Sequence, residues 1–186
     1  LESELRRALR RDELELHYQP RLDLADGRHL LENAEGKKLA VVFDIDETLL
    51  SNYDYYKSTG FTFTQDGWNA FTESCGTTAI GPTRDLYRKL VRDGFAVVLL
   101  TGRSDSERSA TAECLRKRGI KDWHELILRT QAEATLSADV YKSQHRADLQ
   151  AEGHRIVASI GDQVSDMSKG RLKAGFLLPN LMYFIP

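Results

Sequence analysis

The sequence has little of what marks membrane-spanning, nucleic-acid-binding or zinc-binding proteins. No apolar run approaches the ~20 residues that cross a bilayer, and a net charge of −2 provides no basic field for a nucleic acid or an anionic membrane. The two cysteines, Cys75 and Cys114, allow at most one disulfide, and neither has a second Cys or a His at zinc-site spacing. We therefore expect no nucleic acid polymer and no membrane among the partners, and we interpret the five scattered histidines as surface or packing residues.

The residues that are present have the composition of a globular protein with one domain and a short appendage. Hydrophobic residues make up 41% and charged residues 29% of the 186 positions. Residues 1–11 are too charged for a signal peptide. Residues 1–36 have the pattern of a helix, a short strand, a turn and a polar linker, and we expect residues 37–186 to form the main domain.

From Leu39 onward, short apolar runs alternate with amphipathic helices. The runs cover residues 39–45, 95–100, 125–128, 156–160 and 174–178, and the helices cover residues 83–93, 104–118 and 142–152. Continuous apolar strands are buried on both faces, which requires a parallel sheet covered by helices. A glycine follows each helix, at positions 94, 119 and 153, where a left-handed C-cap is expected. The pattern predicts an α/β fold with a doubly wound parallel sheet.

Acidic side chains follow the first strand, at the edge where such sheets bind ligands. Asp44 and Asp46 leave this strand on the same side of the chain. Two carboxylates this close repel each other unless a cation or a proton lies between them. One of them could equally cap a helix while the other is solvated.

The second strand brings other polar groups to the same edge. Thr101, Gly102 and Arg103 supply a hydroxyl, a flexible backbone and a guanidinium, next to a helix start that favours an anion. Thr101 or Ser104 could instead simply cap that helix.

The fourth strand is followed by a third acidic cluster. Asp162 and Asp166 lie there, although aspartates at a helix start are favoured by the helix dipole alone. Lys142 opens a predicted helix, where a lone lysine is ordinarily solvated. A phosphate site, however, needs fixed positive charge. The convergence of three strands on one edge favours a site over chance capping.

In this order, the residues resemble the four motifs of the haloacid dehalogenase superfamily of phosphatases: Asp44-x-Asp46-x-Thr48, Thr101, Lys142 and Gly161-Asp162-x-x-x-Asp166. The stretches at 43–53, 99–103, 141–143, 160–166 and 178–186 resemble the class B, plant-type and related acid phosphatases of that superfamily. The resemblance covers about residues 39–186. It implies a Rossmann-like fold with a small helical cap, formed by an insertion at about residues 51–82.

The resemblance also implies a mechanism and a cofactor. Asp44 would attack phosphorus and form an aspartyl-phosphate, and Asp46 would protonate the leaving group and then activate water. Mg²⁺ would bind the side chains of Asp44 and Asp162 and the backbone carbonyl of Asp46, with Asp166 supporting its water shell. Thr101 and Lys142 would hold the phosphoryl oxygens.

The substrate implied by the resemblance is a small phosphomonoester. The expected contacts come from Thr48, Gly102 and Arg103 and from aromatic residues of the insertion, Tyr53, Tyr56 and Trp68. These aromatic rings could form a wall for an aromatic or nucleoside leaving group, or equally a small core that holds the cap together.

The segment at 1–36 resembles instead the opening of an EAL-type cyclic-di-GMP phosphodiesterase domain. It is far too short for a barrel of ~250 residues, so we expect a remnant or fusion without catalysis. Its strand could pair with another chain, which would make an oligomer. The alternatives to a phosphatase are therefore a non-catalytic storage or binding protein on the same fold, or a cyclic-di-GMP-related module. The family resemblance also implies a periplasmic or secreted location.

Overall fold

The computed structural model describes residues 38–185, all of which belong to the second of two units of the chain, Gly36–Pro186. The predictions made for residues 1–36 lie outside the described residues. In chain order, the elements are β1 (Lys38–Phe43), β2 (Leu50–Ser51), α1 (Tyr53–Ser58), α2 (Gln65–Glu73), β3 (Thr78–Ala79), α3 (Gly81–Arg92), β4 (Ala96–Ser104), α4 (Arg108–Lys117), β5 (Glu125–Arg129), α5 (Ala138–Ala151), β6 (His154–Gly161) and β7 (Ala174–Leu177).

Five of these strands form one parallel sheet in the order β5-β4-β1-β6-β7. β1 lies in the middle and pairs with β4 on one side and β6 on the other. The strands that bring polar residues to the sheet edge are therefore direct neighbours. The predicted doubly wound α/β fold is confirmed.

The strands form because their side chains are buried on both faces of the sheet. All of β1 after Lys38 is buried. On one face, Ala40 and Val42 join a core that includes Tyr141 and Leu149 of α5. On the other, the ring of Phe43 packs edge to face against Tyr87 of α3, with 5.9 Å between centroids. Each such large apolar side chain contributes roughly 1.5–3 kcal/mol when fully buried.

The helix ends agree with the prediction better than the helix starts. Glycines 94, 119 and 153 have φ values of 87°, 77° and 92°, as left-handed caps require. The segment predicted to be one helix from 104 begins instead with a 3-10 turn, Asp105–Glu107, capped by Ser104 and Glu107, before α4. The prediction that Lys142 opens a helix is wrong, because α5 begins at Ala138 and Lys142 lies in its second turn.

The insertion after β1 folds into α1 and α2, bounded by the antiparallel pair β2–β3. A disulfide joins Cys75, just after α2, to Cys114 of α4. The Arg118 guanidinium donates to the carbonyl of Cys75 at 2.8 Å, and the Thr72 hydroxyl donates to Glu107 at 3.1 Å. Covalent and polar links of this kind fix the insertion to the sheet domain. Within residues 38–185, no helix has the length and apolarity to cross a membrane.

Candidate active site

Asp44 is the first residue after β1, the central strand, and it is buried at the carboxyl edge of the sheet. Its backbone N–H donates to the carbonyl of Ile160 in β6 at 2.9 Å, which fixes the chain where it leaves the sheet. The ammonium of Lys142 donates to Asp44 Oδ1 at 2.7 Å and also to Asp166 Oδ1. Lys142 lies in the second turn of α5, so this helix, and not a strand end, supplies the ammonium group of the site.

Three buried carboxylates, those of Asp44, Asp162 and Asp166, each place an oxygen within 4.8 Å of the others. Burial, reinforced by repulsion from the neighbouring aspartates, raises the pKa of Asp44 well above its ordinary value despite Lys142. Burial alone would lower the pKa of Lys142, but the charges of Asp44 and Asp166 outweigh it and raise that pKa. The lysine is therefore protonated, and it carries one positive charge against three acidic groups.

This cluster fits a divalent cation. Its donors are all carboxylate oxygens, which Mg²⁺ prefers, and they are buried, where uncompensated negative charge is costly. One ammonium cannot balance three carboxylates, whereas a divalent cation together with Lys142 would. Burial first, and then this excess of negative charge, raise the pKa of Asp44.

The carboxylate of Asp162 accepts hydrogen bonds from two side-chain amides. Its Oδ2 accepts from Asn180 Nδ2 at 2.7 Å and from the side chain of Gln163, and Thr48 Oγ1 lies 3.4 Å from its Oδ1. Burial raises the pKa of Asp162, while the two amides act in the opposite direction. Thr48, predicted to contact substrate, is fully buried and contacts this carboxylate instead.

The loop after Asp162 is held by a buried arginine that the sequence did not reveal. The guanidinium of Arg146, in α5, donates to the backbone carbonyls of Asp166, Ser168 and Gly170. Its side chain is fully buried. Because Arg146 lies four residues after Lys142, one helix face delivers both cations. That spacing is the signal that could have identified it.

Asp46 is paired with Arg103. Arg103 Nη2 lies 2.6 Å from Asp46 Oδ1 and Arg103 Nε lies 2.9 Å from Oδ2, and Asn52 Nδ2 donates to Oδ1 at 2.9 Å. Burial opposes ionisation of Asp46, but the charge and hydrogen bonds of Arg103, together with Asn52, lower its pKa overall. Arg103, predicted to contact substrate, binds Asp46 and also lines the cavity over the site. Asn52 is a contact that sequence reasoning missed.

Thr101 and Gly102 occupy different environments at the end of β4. Thr101 is fully buried; its hydroxyl oxygen accepts from the N–H of Arg103 at 3.2 Å, and its carbonyl accepts from the Tyr141 hydroxyl at 3.1 Å. Gly102 is exposed and lines the cavity over the site.

A cavity of about 690 Å³ opens over Asp44, Asp46, Lys142 and Asp162. The insertion and the residues after β7 supply the aromatic and large apolar part of its wall: Tyr56, Phe61, Phe63, Trp68, Met182, Tyr183 and Ile185.

The insertion's aromatic residues form a small core, and some of them also line the cavity. Tyr55, nearly fully buried, is the centre of a small core with ring contacts to Tyr56, Phe63, Trp68 and Phe71. Tyr56 and Trp68 also line the cavity. Tyr53 does not line it: the ring is 48% exposed, and Lys57 Nζ lies 5.9 Å from its centroid.

Comparison with known proteins places this arrangement in a family. Residues 13–186 match the family model described as "HAD superfamily, subfamily IIIB (Acid phosphatase)". The chain is 41% identical over 148 residues to "Acid phosphatase 1" of Solanum lycopersicum, covering 77% of this chain and 58% of that protein. It is 32% identical over 149 residues to "Vegetative storage protein 1" of Arabidopsis thaliana, covering 78% and 55%. The chain thus spans little more than half the length of these relatives.

Among solved structures, the fold is similar to that of the class C acid phosphatase from Bacillus anthracis. The TM-score is 0.66 at 20% identity, over 91% of this chain and 83% of that one. The family match begins at residue 13 and so includes much of the segment at 1–36, which we interpret above as separate from the main domain. The resemblance of that segment to an EAL domain finds no support in these comparisons.

Proposed function

Because the chain belongs to subfamily IIIB of the haloacid dehalogenase superfamily, the acid phosphatases, we propose that it is a magnesium-dependent phosphomonoesterase working through a covalent phosphate on Asp44. One observation carries the proposal. Asp44 is buried between Lys142 and two further carboxylates, Asp162 and Asp166, at the base of an open cavity.

In the first step, a carboxylate oxygen of Asp44 attacks phosphorus and the bond from phosphorus to the leaving oxygen breaks. Lys142, held 2.7 Å from Asp44, neutralises charge on the transferring group. Asp44 and Asp162 would hold Mg²⁺, with Asp166 beside it, and the ion would offset the repulsion between carboxylate and phosphate.

Asp46 handles the protons of both steps. In the first step, Asp46 donates a proton to the leaving oxygen. In the second, a water molecule attacks the phosphorus and transfers a proton to Asp46 while the bond from phosphorus to Asp44 breaks. In the free site Arg103 favours the ionised form of Asp46. An incoming phosphate dianion repels that carboxylate and favours its protonation.

The proposed substrates are small phosphomonoesters with an apolar or aromatic leaving group. The cavity is lined both by the charged groups of the site and by rings such as Tyr56, Trp68 and Tyr183. A phosphate at Lys142 would place its leaving group against these rings.

A storage or binding role on the same fold is the alternative, since one relative is named a vegetative storage protein. The presence of Asp44, Asp46, Lys142 and Asp162 in one cluster favours catalysis here. The disulfide between Cys75 and Cys114 supports a location in an oxidising compartment, in agreement with the expected secretion or periplasmic export.

The test is hydrolysis of p-nitrophenyl phosphate by the purified protein with and without Mg²⁺. We expect activity that EDTA removes and Mg²⁺ restores. Asp44→Asn should abolish it, whereas Asp54→Asn, an exposed aspartate of α1, should not. Equal rates for wild type and Asp44→Asn would contradict the proposal.

A further inference from the structure

Residues 178–185, the segment that follows β7, lie against the active site. The N–H of Leu178 donates to the carbonyl of Gly161 at 2.7 Å, which anchors the start of the segment beside Asp162. Tyr183 lines the cavity, and its ring packs on that of Tyr56 with 5.4 Å between centroids. The 178–185 segment therefore contacts both the sheet edge and the insertion.

Two side-chain amides join this segment to Asp162. Asn180 Nδ2 donates to Asp162 Oδ2 at 2.7 Å, while Asn180 Oδ1 accepts from the N–H groups of Met182 at 2.8 Å and Tyr183 at 3.3 Å. Gln163 repeats the arrangement: its Nε2 donates to the same Oδ2, and its Oε1 accepts from the N–H of Ile185 at 2.9 Å.

The chemistry of the partners fixes the orientation of both amides. A backbone N–H can only donate, so each amide oxygen must face the 178–185 segment. Each NH₂ group then faces Asp162, whose ionised carboxylate can only accept. Two donors thereby occupy Oδ2 of Asp162. Its other oxygen, Oδ1, lies 3.4 Å from the Thr48 hydroxyl and can bind a cation.

We propose that Asn180 is a positioning residue for the metal site: through its amide, the 178–185 segment fixes the orientation of Asp162 and directs Oδ1 at the cation. This inference rests on the proposed function, because it needs Asp162 to be a metal ligand. Groups that hold a metal ligand in place typically affect metal affinity by about 10–100-fold.

A serine at position 180 separates the two tasks of the asparagine. Its hydroxyl can accept from the N–H groups two and three residues further on, as the asparagine does, so the local turn is kept. It is one bond too short to reach Asp162 as well. Asn180→Ser therefore removes the donor to Asp162 while leaving the segment its turn.

The experiment is calorimetric titration of the protein with Mg²⁺ alone, together with the Mg²⁺-induced shift of the thermal unfolding midpoint. We expect Asn180→Ser to weaken Mg²⁺ binding by at least about tenfold and to reduce the midpoint shift. Gln163→Met, which removes the second donor but leaves Asn180 untouched, should weaken binding in the same direction. This second variant tests the inference even where Asn180→Ser folds poorly.

Two matched controls come from the same segment. Leu181→Ala changes a side chain that is 97% exposed and should leave Mg²⁺ affinity unchanged. Tyr183→Ala removes the ring that packs on Tyr56 but keeps the backbone N–H; it should raise KM for p-nitrophenyl phosphate without changing Mg²⁺ affinity.

Wild-type affinity in a folded Asn180→Ser variant would overturn the inference; where that variant does not fold, wild-type affinity in Gln163→Met would do so. An equal loss of affinity in Tyr183→Ala would also overturn it, since the segment would then act only through its general packing. A wild-type protein that hydrolyses phosphate esters and binds Mg²⁺, beside a serine variant of equal affinity, would leave the proposed function standing and refute the role of Asn180. Wild-type protein that binds no Mg²⁺ would overturn both.

Discussion

Arg103 holds Asp46 at two points, with Nη2 2.6 Å from Oδ1 and Nε 2.9 Å from Oδ2. The side chain of Arg103 is itself almost completely buried, and its guanidinium lies 5.7 Å from the ring of Trp68 in the insertion. A planar, two-point contact of this kind fixes the direction of the carboxylate as well as its charge. The proposed acid and base of the reaction is thus oriented by a residue of the neighbouring strand.

We predict that Asp46→Asn produces burst kinetics with p-nitrophenyl phosphate. Nitrophenolate is a good leaving group and leaves without a proton, so Asp44 can still be phosphorylated. Release of phosphate then lacks its base and should slow by about 10²–10⁴-fold. A rapid-mixing experiment should show roughly one nitrophenolate per protein followed by a slow phase. A single slow phase without a burst would contradict the role of Asp46 in the second step.

Arg103→Lys provides the companion experiment, because lysine keeps the charge but not the two-point contact. We expect kcat to fall by about tenfold or more with little change in Mg²⁺ affinity. A normal kcat in this variant would show that the orientation of Asp46 does not depend on Arg103.

Removal of the disulfide should loosen the insertion. Cys75 and Cys114 are 39 residues apart, and closing a loop of that length stabilises a folded chain by about 4 kcal/mol through chain entropy. The double variant Cys75→Ser, Cys114→Ser should therefore unfold at a lower urea concentration than oxidised wild type. Its KM for p-nitrophenyl phosphate should rise, since the insertion supplies much of the aromatic wall.

The matched control for the disulfide is wild-type protein incubated with dithiothreitol. It should unfold at the same urea concentration as the double serine variant. Equal unfolding midpoints for oxidised and reduced wild type would show that the bond contributes no stability.

We predict that Arg146→Leu is strongly destabilising. The substitution leaves the carbonyls of Asp166, Ser168 and Gly170 without the guanidinium that they bind. Lost partners of buried polar groups cost about 1–3 kcal/mol each, so a total loss of roughly 3 kcal/mol or more is expected in urea unfolding. Arg155→Leu, which changes an exposed arginine of β6, is the control and should change stability by less than about 0.5 kcal/mol.

Asp139 should make the stability of the protein depend on pH. A hydrogen bond from the Ser137 hydroxyl and another from Lys169, at 2.9 Å, lower the pKa of Asp139 to about 2. In the unfolded chain this carboxyl has its ordinary pKa of about 3.9. Because the folded pKa is the lower one, the stabilisation is complete above about pH 4 and is lost as the pH falls towards 2.

The measurement is the difference in urea midpoint between wild type and Asp139→Asn at pH 6, 4 and 3. The difference should be largest at pH 6 and should narrow at pH 3. Asp148→Asn, at an exposed position of the same helix, is the matched control. A difference in urea midpoint between wild type and Asp139→Asn that stays constant over this pH range would contradict the prediction.

The sheet could be predicted because its cause is local in the sequence. Each buried parallel strand is a continuous apolar run, and the polar residues that follow, such as Asp44 and Asp162, must meet at one edge. The family resemblance, now confirmed, rests on the same residues. The start of α5 was not predicted: Ser137 and Asp139 are residue types favoured at a helix start, but Lys142 was taken as the first helical residue.

Other parts of the site depend on contacts that no local pattern encodes. The four-residue spacing from Lys142 places Arg146 on the same helix face, but an arginine in a helix is ordinarily exposed, so its burial against the loop does not follow from the spacing. The pairing of Asp46 with Arg103 joins residues 57 positions apart, and Asn180 lies in a stretch without regular structure. The disulfide could not be predicted from the sequence, because Cys75 meets Cys114 only where the insertion folds back onto α4.

The central position of β1 has a consequence for the synthesis of the protein. A nascent chain that has emerged only through β5 already exposes Asp44, Asp46 and Thr101, but Lys142 and Asp162 have yet to emerge. Until β6 arrives, one side of β1 has no neighbour in the sheet and can pair with strands of other nascent chains. The proposed catalytic cluster and the protection of β1 from such pairing therefore depend on the same strand, because β6 both fills the gap beside β1 and places Asp162 at the sheet edge.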